Sequence, residues 1–372
     1  MTSTEAFLAL NLLPGIGPIR MRHLLKEFEE PSELLKASEK KLQQIPGIGA
    51  EMARSIRSWE NLVDLAEEKR RIAEHDISLL TLKDNEYPAA LREIHDPPFL
   101  LYVRGHLEPS DAAAIGIVGS RRMTHYGREQ ARKLGFQLAR AGFTIISGLA
   151  RGIDTAAHEA ALAAEGRTVA VLGSGIGNIY PPENEVLADR IVENGAVISE
   201  FPVLYVPDKQ SFPLRNRIVS GMSEGLLVVE APARSGSLIT ANQAMEQGRT
   251  VFAVPGPIDR PTSEGCNRLI RDGATLVTSG QDVIDDLNTG LNSLNLEFAS
   301  PEQPRAKHSP ILDSLDDQQV KILEELEKGE QTIDTLAEAI CAPARAVSAN
   351  LLQLEMKHLV KQLPGKYFTK LI

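Results

Sequence analysis

The segment SFPLRNRIVSG, residues 211–221, combines an aromatic ring, two guanidinium groups and an amide in a short stretch of chain. Single-stranded nucleic acid is bound by a positive track for its phosphates and by aromatic rings on which its bases stack. In that interpretation Phe212 is the stacking ring, and the amide of Asn216 either bonds a base edge or braces the loop. The residues that would form this surface are Lys209, Phe212, Arg215, Asn216 and Arg217.

The alternative is a structural role for the same side chains. Phe212 could belong to the core, and Arg215 and Arg217 could pair with acids such as Glu200 or Glu230. The two arginines do not share a helical face, because residues two apart on a helix point in different directions. An amphipathic helix therefore explains only part of the pattern.

The composition describes a globular protein with two or three domains. The chain has 372 residues and a formal net charge of −10, with 42% apolar and 24% charged residues. The acidic balance argues against a surface that coats nucleic acid indiscriminately, but a cleft can still be locally basic. We expect a cytoplasmic protein, because no apolar run could span a bilayer and the N-terminus lacks the features of a secretory signal. Cys266 and Cys341 are far apart in sequence and predict neither a disulfide framework nor a metal site.

Residues 1–75 contain a repeat. LLPGIGPIRMRHLLKEF is echoed by QIPGIGAEMARSIRSW, and each copy is a Pro-Gly-Ile-Gly turn that opens an amphipathic helix. This resembles a tandem helix-hairpin-helix, or SAM-like, helical domain. In that motif the glycines permit a tight turn, and free amides at the start of the second helix can hold a phosphate. A plain helical packing domain is the alternative, since acidic and basic residues are about balanced there.

Residues 76–288 alternate short apolar runs with helical patterns. Most runs are continuous and rich in Val, Ile and Leu, as in strands that are buried on both faces. The helical stretches between them, such as 126–141 and 155–165, predict βαβ crossovers and an α/β fold with a doubly wound parallel, Rossmann-like sheet. The predicted strands are 114–118, 144–147, 168–172, 196–199, 226–230, 250–254 and 275–277.

The C-terminal part divides into a predicted linker and a small domain. Residues 289–315 have little periodicity and are rich in Asn, Ser, Pro and Gln, which predicts a linker. Residues 316–372 predict three helices followed by two short strands around a Pro-Gly-Lys turn, which together make a winged helix. Its seven Lys or Arg against nine Asp or Glu leave open whether it binds duplex DNA or a protein.

The loops that follow the predicted strands are rich in glycine, serine and arginine. In a doubly wound sheet, ligands bind outside the carboxyl ends of the strands. Backbone amides, hydroxyl groups and helix N-termini form anion-binding cradles at such an edge. Any one of these loops could be an ordinary turn, but the set favours a binding surface. The residues assigned to this edge are Gly119, Ser120, Arg121, Arg151, Gly152, Arg234, Ser235, Gly236, Ser237 and Thr240.

Other chemistries fit the sequence poorly. LGSGIG, residues 172–177, begins like a dinucleotide fingerprint but lacks the acidic residue about 20 positions later. The chain has neither a P-loop nor a metal-ligand motif, so we predict no cofactor and no metal. Asp154 and His158 have the i,i+4 spacing of neighbours on a helix and could be catalytic, although a structural hydrogen bond at a helix start is the more frequent role.

A series of motifs runs through most of residues 80–280. The series resembles the motifs of the DNA-processing protein A family, also called DprA or Smf, in the same order. A helix-hairpin-helix front and a winged-helix tail are common attachments in that family. The motifs are GIVGSRRMTHYG, SGLARGIDTAAH, LGSGIGNIYPPEN, SEFP, SFPLRNRIVSGMS, VVEAPARSGSLITANQA and VPGPIDRPTSEGCNRLIRDGA.

The resemblance implies a non-enzymatic single-stranded DNA-binding protein of natural transformation. Such proteins protect incoming DNA, load the RecA recombinase onto it, displace single-strand-binding protein and act as homodimers. Family roles carried onto this chain assign a phosphate contact to Arg121 and base stacking to Phe212. The lysine before that aromatic corresponds to Lys209, and the Arg-Asn pair after it to Arg215 and Asn216.

Two other functions remain as alternatives. One is a Rossmann-like enzyme that cleaves nucleoside monophosphates to base and ribose phosphate. That chemistry would resemble a Pro-Gly-Gly-x-Gly-Thr loop with a catalytic glutamate and arginine, whereas this chain has Ser235-Gly236-Ser237. The other is a scaffold whose edge binds a nucleotide signal, which would have mononucleotide affinity but no dependence on oligonucleotide length.

Overall fold

The computed structural model of the chain describes residues 1–287, 316–327, 331–340, 342–356, 359–363 and 367–370. The chain forms two compact units, Met1–Asn295 and Leu296–Ile372. The predicted linker, residues 289–315, lies outside the described residues.

The first unit begins with a cluster of short helices. Thr2 caps the first of them, since its hydroxyl accepts from the Glu5 amide while the Glu5 carboxylate accepts from the Thr2 amide. Both Pro-Gly-Ile-Gly turns place their first glycine, Gly15 and Gly47, at a φ of +83° and +85°, which only glycine adopts readily. The helices are α1 Ser3–Leu12, α2 Pro18–Glu27, α3 Pro31–Leu34, α4 Glu39–Leu42, α5 Ala50–Arg57 and α6 Leu65–Glu74.

A nine-stranded sheet follows, in the order β1-β2-β6-β5-β4-β3-β7-β8-β9. The seven strands from β6 to β9 in that order are parallel, whereas β2 pairs antiparallel with both β1 and β6. The strands are β1 Ile77–Thr81, β2 Leu100–Gly105, β3 Ala114–Val118, β4 Thr144–Ser147, β5 Thr168–Val171, β6 Gly195–Ser199, β7 Gly225–Val228, β8 Thr250–Ala253 and β9 Thr275–Leu276.

Helices cover both faces of this sheet, as predicted for a doubly wound α/β fold. Along β3, Ile115 and Ile117 face one apolar cluster, while Ala114 and Val118 face the other. Both faces of a central strand are therefore buried, which explains why its sequence is continuously apolar. The helices are α7 Ala89–Arg92, α8 His125–Arg140, α9 Ile153–Ala163, α10 Glu185–Glu193, α11 Ser211–Gly221, α12 Gly236–Glu246, α13 Glu264–Arg271 and α14 Gly280–Leu287.

The strand order reverses between β3 and β7. From β3 the chain builds β4, β5 and β6 outward in one direction, and it then returns to place β7 on the other side of β3. The loops that leave β3 and β7 diverge at such a switch point, which opens a crevice at the carboxyl ends of the strands. The predicted binding loops lie at this edge.

The second unit is the predicted winged helix. Its core contains Ile322, Leu336, Val347, Leu351 and Phe368. The structure adds a short strand, β10, which pairs with β12. The elements are α15 Asp317–Glu327, β10 Gln331–Thr332, α16 Ile333–Ala339, α17 Ala344–Met356, β11 Val360–Leu363 and β12 Tyr367–Lys370.

Candidate nucleic-acid interface

A groove of about 590 Å³ lies at the switch point. It is formed by the loop after β3, the first residues of α11 and the loop that leads from β7 into α12. The structure therefore gathers most of the predicted residues, from three separate segments, into one surface. The predicted residues that line this groove are Gly119, Ser120, Arg121, Lys209, Phe212, Arg215, Asn216, Arg234, Ser235, Gly236, Ser237 and Thr240.

Phe212 lies in the groove rather than in the core. Its ring is half-buried, and the guanidinium of the exposed Arg121 lies 4.8 Å from the ring centroid. A Cβ on Gly173 would come within 2.9 Å of the ring, so this glycine of the LGSGIG loop makes room for Phe212. The arrangement presents an aromatic ring beside an exposed cation, the two kinds of group that single-stranded nucleic acid needs for its bases and its phosphates.

Arg215 is buried beneath the groove. Its Nη1 donates to the carbonyls of Gly148 and Val171, and its Nε donates to Asn216 Oδ1 at 3.0 Å. Burial lowers the pKa of Arg215 to about 10, against the opposing charge of Asp154. The side chain stays positive at neutral pH and ties α11 to the turn after β4 and to the last residue of β5, so it contributes both a fixed charge and a structural link.

Asp154 and His158 have separate structural partners. Asp154 Oδ2 accepts from the amides of Gly148 at 3.1 Å and Ala150 at 3.3 Å, which closes the turn before α9. Burial raises the pKa of this carboxyl, although Arg215 opposes the shift.

His158 Nδ1 lies 2.7 Å from Thr168 Oγ1, whose hydroxyl donates to the Ile145 carbonyl. Because that hydroxyl hydrogen is already used, Nδ1 carries the ring proton. Burial lowers the pKa of His158 to about 3, so the ring is neutral. These bonds match the structural interpretation of the two residues.

Arg217 does not join the groove, and its predicted place there is corrected. It is 3% exposed, its Nη2 donates to the Glu200 carboxylate, and its Nε lies 3.2 Å from Asp96 Oδ2. Two residues along a helix correspond to a rotation of about 200°, which carries Arg217 away from Arg215 and toward the N-terminal helices. The structural alternative therefore holds for Arg217, with Glu200 as its partner. Glu230 instead bonds the amide and hydroxyl of Thr124.

Two further predicted residues lie beside the groove. Gly152 has a φ of +83°, and a Cβ there would lie 2.2 Å from the Ser120 carbonyl oxygen, so this glycine lets two binding loops approach closely. Arg151 lies next to Tyr180, beyond Phe212, and forms an ion pair with Glu183.

The N-terminus of α12 completes the groove. Ser235 caps this helix, its Oγ accepting from the Ser237 amide at 3.3 Å, and the two hydroxyl oxygens lie 2.7 Å apart. Free amides and hydroxyls at a helix start favour an anion.

The predicted set left out a further cation and a further aromatic ring near this surface, Arg122 and Tyr180. Arg122 was signalled by its place in the Gly-Ser-Arg-Arg turn and lines the groove. Tyr180 had no comparable signal, since its contact with Phe212 depends on tertiary structure.

Comparison with known proteins identifies the family. The sequence model described as DNA recombination-mediator protein A matches residues 78–288. A protein named Smf from Synechocystis is 34% identical over 99% of both chains. The chain belongs to the DNA recombination-mediator protein A family. The predicted DprA/Smf resemblance is thus confirmed, and the DprA winged helix and SAM-like helix-hairpin-helix models match residues 304–366 and 7–58.

Two solved DprA structures share the fold. The DprA of Streptococcus pneumoniae is 35% identical, with a TM-score of 0.68 over 77% of this chain and 98% of that one. A Helicobacter pylori DprA, whose structure is described in terms of a single-stranded DNA binding mode, is 31% identical, with a TM-score of 0.53 over 58% of this chain and 97% of that one.

The described residues contain neither a membrane-spanning helix nor a metal-binding cluster. None of their helices combines the length and apolar character needed to cross a bilayer. No three of their His, Cys, Asp or Glu side chains are grouped so that they could hold a metal ion.

Proposed function

We propose that this chain is a single-stranded DNA-binding recombination mediator of natural transformation, which protects incoming DNA and loads the RecA recombinase onto it. The observation that carries the proposal is the groove at the switch point, where the half-buried ring of Phe212 lies beside the guanidinium of Arg121. Membership of the DprA family, one member of which is described as binding single-stranded DNA, supports it further.

The groove supplies the two kinds of contact that an unpaired strand needs. Arg121, Lys209 and the N-terminus of α12 would hold phosphates, and Phe212 would stack on a base. Every base offers a π face, so this binding tolerates sequence variation. Ser120, Ser237 and Asn216 would add neutral hydrogen bonds along the strand.

The proposed role is not enzymatic. Asp154 and His158, the two candidate catalytic side chains, are buried in structural hydrogen bonds. Phosphoribohydrolase activity is the alternative, and the Ser235-Gly236-Ser237 loop departs from the sequence that it would resemble. Incubation with nucleoside monophosphates and an assay for free base tests this alternative, for which we expect no release.

The proposal includes a homodimer, RecA as a partner and displacement of single-strand-binding protein. Leu269 and Ile270 are the sequence candidates for dimer contacts. Leu269 is buried against the sheet and Ile270 is partly buried, so neither is a fully exposed contact residue in this chain. RecA filament assembly on DNA coated with single-strand-binding protein tests loading, and we expect the chain to accelerate it.

An oligo-dT length series, with mass measurement of the complexes, tests DNA binding and stoichiometry together. We expect affinity to rise with length and to fall steeply with salt, because each neutralised phosphate of a single strand contributes about −0.7 to the slope of log K against log salt. Phe212→Ala should cost about 1–3 kcal/mol of binding free energy through lost stacking. If Phe212→Ala and Arg121→Ala both bind oligo-dT like the parent, the groove is not the binding site.

A further inference from the structure

Tyr180 extends the aromatic surface of the groove. The residue is 38% exposed, and its ring lies 5.8 Å from the Phe212 ring, centroid to centroid, at an interplanar angle of 48°. The guanidinium of Arg151 lies 5.8 Å from the Tyr180 centroid, as Arg121 lies 4.8 Å from that of Phe212. The four side chains therefore form a row, Arg121–Phe212–Tyr180–Arg151, in which two rings are flanked by two cations.

The cation at the far end of this row already has a carboxylate partner. Arg151 donates from Nη2 to Glu183 Oε2 at 3.0 Å, and its Nε also donates to this carboxylate. Both side chains are 50% exposed. An exposed ion pair contributes little free energy, so a phosphate can replace the carboxylate at small cost.

Hydrogen bonds of Asn184 join the two segments of chain that carry Tyr180 and Arg151. Asn184 follows Tyr180 closely in the chain, and its Nδ2 donates to the Leu149 carbonyl at 2.8 Å and to Thr155 Oγ1 at 2.9 Å. These bonds fasten the Tyr180 loop to the turn that carries Arg151. Leu149 has a φ of +54° and is fully buried, so the surrounding contacts fix this turn in a backbone conformation that residues other than glycine seldom adopt. The loop that carries Tyr180 and the turn that carries Arg151 are thus held in a fixed arrangement.

We propose that Tyr180 and Arg151 form a second single-stranded DNA subsite beside Phe212, in which a base stacks on Tyr180, a phosphate binds Arg151 and Glu183 competes with that phosphate. The inference rests on the proposed function and gives the strand a path, from the N-terminus of α12 across Phe212 to Tyr180. It also assigns a role to the YPPEN part of the LGSGIGNIYPPEN motif.

Tyr180 is tested with dT oligomers that carry one abasic position, moved along the strand. The parent should show two positions at which loss of the base weakens binding. Tyr180→Ala should weaken binding to intact dT by roughly fivefold or more and abolish the sensitivity at one of the two positions. Tyr180→Phe keeps the ring and should behave like the parent. An unchanged abasic profile in a folded Tyr180→Ala protein would overturn the stacking role.

Glu183 is tested with Glu183→Gln, which frees Arg151 without changing the size of the side chain. Affinity for dT should increase by about 1.5- to 5-fold, the value of an exposed ion pair, and most at low salt. Glu185→Gln is the matched control, because it removes the same charge from an exposed residue two positions on. The gain should vanish in an Arg151→Gln background. Equal gains from Glu183→Gln and Glu185→Gln would mean a general charge effect and would overturn the competition.

The failure of this subsite is distinguishable from the failure of the proposed function. If Phe212→Ala and Arg121→Ala weaken dT binding while the Tyr180 and Glu183 variants do not change it, the groove stands and only the second subsite is wrong. If all four variants bind like the parent, both proposals are wrong.

Discussion

Arg121 and Arg217 carry the same charge in different surroundings. Arg121 is exposed at the groove, whereas Arg217 is buried between the carboxylates of Glu200 and Asp96. An exposed cation can exchange its counterion for a DNA phosphate. A buried cation cannot leave its partner without exposing an uncompensated charge to a medium of low polarity. The two arginines are therefore expected to affect different properties of the protein.

Substitution of each arginine should separate DNA binding from folding. Arg121→Ala should weaken oligo-dT binding and reduce the salt slope by about 0.7, with unfolding unchanged. Arg217→Met should lower the free energy of unfolding by about 3–5 kcal/mol, because Glu200 loses its partner, while the folded protein keeps its salt slope. Urea unfolding and fluorescence anisotropy across a salt series measure the two quantities. If both variants reduce the salt slope by the same amount, Arg217 contacts DNA and its assignment to a buried ion pair is wrong.

For single residues, the sequence predicts proximity more accurately than it predicts the orientation of a side chain. Gly119 to Arg121 and Ser235 to Ser237 follow strands of a parallel sheet, and strand order alone brings such loops together. The orientation of Arg217 depends on where α11 begins and on which acids surround it. The contact between Tyr180 and Phe212 joins loops that are distant in sequence, so the chain carries no local sign of it.

The turn between β4 and α9 depends on a close approach of two backbones. Gly152 combines a φ of +83° with a would-be Cβ 2.2 Å from the Ser120 carbonyl oxygen. Gly142, which precedes β4, has a φ of +93° and open space around its would-be Cβ. Substitution at Gly142 therefore introduces backbone strain alone, whereas substitution at Gly152 introduces the same strain and also displaces a neighbouring loop.

Gly142→Ala and Gly152→Ala should therefore differ in stability and in affinity for oligo-dT. Gly142→Ala should cost about 1–2 kcal/mol of stability, from the left-handed conformation alone, and leave oligo-dT binding intact. Gly152→Ala should cost more and also weaken binding, because the Gly119–Arg121 loop has to move away from α9. Urea unfolding and anisotropy with oligo-dT give both numbers. If the two variants have equal stability and equal affinity, the close approach at Gly152 has no bearing on the groove.

His158 on α9 predicts a pH dependence of stability. Burial lowers its pKa from the ordinary 6.5 to about 3, so between these values the unfolded chain binds a proton that the folded protein does not. The free energy of unfolding must then fall as the pH falls through 6.5. Between pH 7 and pH 5 this single group should account for roughly 2 kcal/mol.

His158→Gln should remove that part of the dependence. The difference in urea unfolding free energy between pH 7 and pH 5 should be smaller in the variant by that amount, whatever the change in absolute stability. The other titrating groups are common to parent and variant, so their contributions cancel in this comparison. An identical pH difference in parent and variant would mean that the ring takes up its proton over the same pH range in the folded and the unfolded chain.

The sheet illustrates what periodicity can and cannot predict about elements. The predicted strands 114–118 and 144–147 coincide with β3 and β4, because continuous apolar runs between turn residues leave little freedom in where a buried strand starts and ends. The antiparallel attachment of β1 and β2 to the edge at β6 has no local signature. It depends on contacts between segments that are distant in sequence, among them those of β1 and β2 with α1.

For the whole molecule, the groove is local in a chain that is acidic overall. The formal net charge is −10, yet Arg121, Arg122, Lys209 and Arg234 all line one groove. The acidic remainder repels a polyanion and makes long-range attraction weak, so the proposed DNA binding would depend on these close contacts. Salt weakens the phosphate contacts by counterion competition and also screens this repulsion, so its two effects on affinity have opposite signs. We expect the loss of the phosphate contacts to be the larger effect.

The two units of the chain predict a final experiment. All residues of the groove lie in the unit Met1–Asn295, and the winged-helix segment has more acidic than basic residues. A chain cut after Asn295 should therefore bind oligo-dT with the affinity of the full chain to within about twofold, and with the same salt slope. Anisotropy with oligo-dT and with a blunt duplex measures both activities. If only duplex affinity is lost, the winged helix binds duplex DNA. A cut chain that unfolds cooperatively but has lost its oligo-dT affinity would show that the second unit contributes to the strand-binding surface.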